Sequence, residues 1–105
     1  MKKIKSILII LTISLFASCE GVVWYEGTIY DAQTKEPLDN VQCVIVRYKN
    51  ENDFTTYSDS IGYYYVSSGL VGMVFGRPKY NVEFSKQGYK TQIVKEPTDI
   101  YLEKE

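Results

Sequence analysis

Histidine is absent from all 105 residues. Ser-His-Asp and Cys-His nucleophilic arrangements, and the common histidine-bearing zinc sites, are thereby excluded. Cysteine is nearly as scarce, with only Cys19 and Cys43. Basic charge does not exceed acidic charge, at 12 residues against 13, so no basic stripe is available to hold nucleic acid. The apolar segment Ile7 to Phe16 is shorter than the ~20 residues of a membrane-spanning helix. No stretch repeats apolar residues at helical spacing over three turns, which leaves an all-β chain.

What is present begins with the first nineteen residues. Lys2, Lys3 and Lys5 form a positive start, Ile7 to Phe16 an apolar centre, and the small residues Ala17 and Ser18 stand before Cys19. An ordinary secretory peptide needs no thiol at its cut, whereas a bacterial lipoprotein signal uses the cysteine sulfur to accept diacylglycerol. Phe16 stands where leucine is usual in such signals. The expected organisation is a cleaved signal over 1–18, a lipidated tether over 19–22 with acyl chains such as palmitate on Cys19, and one domain over 23–105. The anchor would engage membrane lipid, since two or more chains hold a protein stably. Loss of the three signal lysines reduces the basic count from 12 to 9 against 13 acidic residues, a net charge of −4. With Cys19 acylated, Cys43 has no disulfide partner, and its apolar setting Val41-Gln42-Cys43-Val44-Ile45-Val46 suits a small buried hydrophobe.

Seven short runs separated by turn residues predict strands over Val22–Tyr30, Val41–Lys49, Phe54–Ser58, Tyr63–Ser67, Lys79–Lys86, Tyr89–Lys95 and Thr98–Glu103. That spacing predicts an antiparallel Greek-key β-sandwich. Alternation places Val41, Cys43, Ile45, Tyr64, Val66, Tyr80, Val82, Phe84, Ile100 and Leu102 in the core. The aromatic set Trp24, Tyr25, Tyr57, Tyr63 and Tyr65 contains rings on the faces opposite those core positions, so an exposed aromatic surface is expected from part of it. Asp59-Ser60-Ile61-Gly62 reads as a tight hairpin turn; a calcium loop would need more oxygen ligands and a terminal glutamate. The carboxylate pairs Asp53 with Asp59 and Asp31 with Glu36 read as solvated loop residues. Neither a cofactor nor a metal is expected, and no enzymatic activity.

Four segments in order resemble the carboxypeptidase regulatory-like domain: Gly27 to Asp31, Thr34 to Val41, Thr56 to Tyr64 and Val82 to Tyr89. The resemblance covers about residues 23–103 and implies a seven-stranded transthyretin-like sandwich that is a non-catalytic accessory module. It also implies an envelope setting, with the anchor in the outer membrane. The chain departs from that family at 67–78, where Leu70, Val71, Met73, Val74 and Phe75 form an apolar, glycine-punctuated stretch. Either this stretch folds over the open end of the sandwich or adds an edge strand, or it is exposed and docks a partner protein of the envelope. The alternative contact is a glycan stacked on the outward aromatic rings.

Overall fold

The computed structural model describes residues 20–48 and 55–105. The signal over 1–18 and the lipidation candidate Cys19 lie outside the described residues, as do Asp53 and Phe54.

Among the described residues there are seven strands: β1 (Glu20–Asp31), β2 (Gln42–Ile45), β3 (Thr55–Tyr57), β4 (Tyr63–Gly72), β5 (Asn81–Ser85), β6 (Gln92–Lys95) and β7 (Ile100–Leu102). They form a three-stranded sheet in the order β4-β1-β7 and a four-stranded sheet in the order β3-β2-β5-β6. The all-β, two-sheet architecture therefore holds. An antiparallel arrangement throughout does not, because Ile29, Tyr30 and Asp31 of β1 pair in parallel with Ile100, Tyr101 and Leu102 of β7. A short hairpin would force an antiparallel neighbour, but β7 reaches β1 only after β6 has paired in the other sheet, so its direction is free.

β1 starts at Glu20, so residues 20–22, expected as a tether, are sheet residues paired with Val71 and its neighbours on β4. β2 stops at Ile45 in a 3-10 turn over Val46–Tyr48, earlier than the apolar run suggests.

All ten expected core residues are buried, joined by Val23, Tyr25, Ile29 and Val44. The sheets lock through the ring of Tyr64 on β4, which meets Phe84 on β5 edge to face at 5.0 Å. Of the aromatic set, Tyr25 belongs to the core. Its ring faces inward, 7% exposed, and its hydroxyl accepts the backbone N–H of Tyr80 at 3.0 Å. The inward row of β1 is Val23, Tyr25, Gly27 and Ile29; a glycine in that row and adjacent aromatics at 24 and 25 obscure the alternation.

One irregularity governs the upper end of the molecule. Between Val22 and Trp24 the β1–β4 register shifts, so that Val22 faces Leu70 while Trp24 faces Ser67. The extra residue lies on β4, where Gly69 has a φ of 69°, a bulge geometry that favours glycine. The bulge changes the alternation. Ser68 is inward below it, and Val71 packs against the core above it, leaving Leu70 outward.

Candidate functional site

β4 runs on to Gly72, so part of the expected loop is an extension of the sheet. Its five apolar residues divide. Val71 and Met73 pack against the core, whereas Leu70, Val74 and Phe75 are exposed, Phe75 completely. Val74 and Phe75 are the central residues of a turn closed by the Gly76 N–H donating to the Met73 carbonyl at 3.1 Å.

Below this tip, the outward face of the three-stranded sheet carries the second apolar feature. Cross-strand partners share a face. The pairs Val22–Leu70, Trp24–Ser67, Glu26–Tyr65 and Thr28–Tyr63 therefore form one surface, with Tyr30 and Tyr101 continuing it toward β7. Val22, Leu70, Trp24, Tyr65, Tyr63 and Tyr101 are all exposed. The guanidinium of Arg77 lies 5.3 Å from the centroid of the Trp24 ring, and its Nη2 donates to the Trp24 carbonyl at 3.5 Å. The Tyr63 hydroxyl donates to Glu26 Oε2 at 2.7 Å, which pushes the Tyr63 phenol above its ordinary range. At the far end Tyr101 stacks on Tyr30 at 5.3 Å, with the Lys35 ammonium 4.9 Å from the Tyr101 centroid.

Three of the five aromatics of that set, Trp24, Tyr63 and Tyr65, thus share this surface. Tyr57 is exposed but belongs to β3 in the other sheet, and Tyr25 is in the core. Tyr30, Tyr101 and Arg77 were not among the expected aromatic face. The parallel β1–β7 pair brings the first two together, and no local pattern encodes it.

The carboxylates have structural positions. Asp31 is 3% exposed at the end of β1. Its Oδ1 accepts the N–H groups of Thr34 at 2.9 Å and Gln33 at 2.8 Å, and its Oδ2 accepts the Tyr89 hydroxyl at 2.8 Å. Lys104 Nζ stands 3.7 Å away. One carboxylate therefore ties the 31–37 loop to the segment after Gly88. The Thr34 N–H and the Tyr89 hydroxyl, aided by Gln33 and Lys104, outweigh burial and lower its pKa from 3.8 to about 2. Because the folded value lies below the unfolded one, this stabilisation is complete above about pH 4 and is lost as pH falls through about 2. Melting temperature should accordingly fall over that acidic interval, and Asp31→Asn should flatten this part of the profile. An unchanged acid limb in Asp31→Asn would contradict the assignment.

Asp59 Oδ1 accepts the N–H groups of Ile61 at 3.1 Å and Tyr63 at 2.9 Å, forming the expected turn, but the turn is not a hairpin, because β3 and β4 belong to different sheets and it carries the chain across between them. Cys43 is fully buried, its thiol donates to the Val41 carbonyl at 3.4 Å, and burial pushes its pKa up to about 12. That environment suppresses thiolate chemistry. Among the described residues, no group of three or more acidic or cysteine side chains is placed to hold a metal ion. Among the same residues, no helix is long and apolar enough to cross a membrane.

No protein-family model matches the chain, and a search of curated proteins finds no match either.

Proposed function

We propose that this chain is a lipid-anchored envelope protein, held in the outer membrane through acylated Cys19, whose β-sandwich is a non-catalytic module that contacts a partner protein. In this reading the sandwich is of the transthyretin-like Greek-key kind, as the resemblance to carboxypeptidase regulatory-like domains implies. The observation that carries the reading is the exposed row Val22, Leu70, Trp24, Tyr65 and Tyr63 on one sheet face, with Arg77 against Trp24. Tryptophan, tyrosine and arginine are the residue types that dominate protein–protein binding energy, and contiguous exposed apolar surface of this kind marks contact sites. Of the five apolar residues in the 67–78 stretch, only Leu70 joins this face.

The glycan alternative uses the same rings but asks more of them, since sugar stacking needs an open ring face. Arg77 lies over Trp24, and Tyr101 is engaged by both Tyr30 and Lys35. The engaged rings favour the protein partner.

The test is cross-linking in intact membranes followed by recovery of the acylated chain and identification of bound protein. Two hot-spot side chains at about 2 kcal/mol each correspond to a loss of roughly a thousandfold in affinity. Trp24→Ala combined with Tyr65→Ala should therefore abolish recovery of the partner while melting stays close to the parent. Equal recovery from parent and double variant would remove the face from consideration. Retention on an oligosaccharide resin that the double variant loses would favour the glycan. The mass of the N-terminal peptide tests the diacylglycerol on Cys19 independently.

A further inference from the structure

The turn at Met73–Gly76 has the wrong residues for water. Turn centres exposed to solvent are dominated by glycine, proline, asparagine, aspartate and serine. Here the two central positions are Val74 and Phe75, both exposed, and the turn bond itself is made. The tip is also held firmly to the sheet. Met73 packs against the core, and its side chain fills the space beside Gly21, where an added Cβ would lie 2.7 Å from the Met73 Sδ.

The position of the start of β1 gives this tip a meaning. Glu20 pairs with Gly72, the residue immediately before the turn. Antiparallel partners lie about 4.5–5.5 Å apart between Cα atoms, so the first residue of β1 stands directly beside the turn. A lipid anchor at residue 19 would bring the bilayer to the end of the sandwich where Val74 and Phe75 project. The nearby charges are mixed, with exposed Glu20 across from Gly72 on one side of the turn and two cations on the other. Arg77 and Lys79 follow the turn, both exposed, and no acidic residue lies between Gly69 and Lys79. Trp24 carries Arg77 against its ring further along the sheet. Apolar residues outermost, with tryptophan and cations behind them, is the sequence of chemistries met on passing outward from acyl chains to phosphates.

We infer that the Met73–Gly76 turn is a membrane-seating tip: Val74 and Phe75 enter the acyl boundary of an anionic bilayer, with Arg77 and Lys79 at the phosphates. The inference rests on the anchor reading for its tether, but it concerns a separate contact. A seated tip would fix how the domain stands on the membrane and turn the Trp24–Tyr65 face sideways, parallel to the bilayer normal, where a neighbouring envelope protein can reach it.

The test uses the full processed chain purified from membranes and reconstituted into vesicles of phosphatidylethanolamine and phosphatidylglycerol. Trp24→Tyr removes the native tryptophan signal, and Phe75→Trp then places a reporter on the tip. Ile61→Trp in the same background places one at the opposite end of β4, where Ile61 is exposed in the β3–β4 turn. Interfacial apolar segments sit about 5–10 Å below the headgroup boundary, so the tip reporter should shift to the blue and lose about half its emission to lipids brominated near the upper acyl carbons. The reporter introduced by Ile61→Trp should do neither. Adding Val74→Ser should weaken the quenching at the tip, and replacing phosphatidylglycerol by phosphatidylcholine should weaken it further. Water-like, unquenched emission from the tip reporter overturns the inference, as does equal quenching of the two reporters. Circular dichroism of each variant shows whether the sandwich is intact. The anchor reading is judged separately by the mass of the peptide bearing Cys19: an acylated chain with an unquenched tip refutes only the tip, and a quenched tip on an unacylated chain refutes only the anchor.

Discussion

Phe84→Ala should lower the free energy of unfolding by about 3–5 kcal/mol, the range measured when a fully buried phenylalanine is truncated. Phe84 is completely buried in β5, the strand flanked on both sides, between Cys43 on β2 and Gln92 on β6 in the sheet register. Its ring also meets Tyr64 edge to face at 5.0 Å with an interplanar angle of 79°, so truncation removes a contact between the two sheets as well as apolar burial. Such aromatic pairs contribute about 0.5–1.5 kcal/mol beyond their area. Folded domains are stable by only about 5–15 kcal/mol, and small ones bury the smaller fraction of their surface, so this loss is a large share of the total. Urea unfolding followed by circular dichroism reads the effect. Phe84→Leu, which keeps most of the apolar volume, should lose markedly less. A shift below about 1 kcal/mol for the alanine variant would mean that the sheets do not meet through this ring.

The second large effect is expected at a turn. Gly62 ends the turn that carries the chain from β3 in one sheet to β4 in the other, with a φ of 79°, donating its N–H to the Asp59 carbonyl at 3.0 Å and accepting the Ile29 N–H at 2.8 Å through its own carbonyl. A Cβ built on Gly62 would stand 2.6 Å from the Ile29 carbonyl oxygen and 3.1 Å from the Pro37 Cβ. Gly62→Ala therefore incurs two costs. The left-handed conformation costs an alanine about 1–2 kcal/mol, and crowding against a backbone atom that cannot swing away adds about 1–3 kcal/mol. The expected loss is about 2–5 kcal/mol, measured by the same urea titration. Gly72→Ala is the matched comparison, because an added methyl there meets nothing within 4 Å, and it should stay close to the parent. If both alanine variants unfold alike, the turn does not hold Gly62 against β1. Function enters here too, since the Ile29–Gly62 contact ties the turn to the strand that carries Trp24.

Much of the strand content and the core was legible in the chain because alternation is a local signal. Val41, Cys43 and Ile45, then Val82 and Phe84, then Ile100 and Leu102 each repeat every second residue, and each set is buried. The Asp59 turn was equally legible, since an aspartate accepting N–H groups two and four residues ahead needs no distant partner. β1 resisted the same reading. Gly27 interrupts its inward row, and Tyr25 looked like its outward neighbour Trp24 until the Tyr80 backbone supplied a partner for its hydroxyl. For the candidate site, the sequence marked Leu70, Val71, Met73, Val74 and Phe75 as unusual but did not sort them, because the sorting depends on a bulge opposite Val22 and Trp24.

From the sequence alone came the all-β class, the number and approximate places of the seven strands, most of the buried residues, and the expectation of a greasy thiol at Cys19. Local spacing of apolar and turn residues carries that information, because each strand shows two faces whatever its neighbours are. Tertiary structure alone decided that β7 lies parallel to β1, that Trp24, Tyr63, Tyr65 and Tyr101 share one surface, and that the Val74–Phe75 turn stands beside the start of β1. Those facts depend on pairing between residues far apart in the chain, such as Tyr30 with Tyr101, and register across such distances is set by which faces fit together in the core.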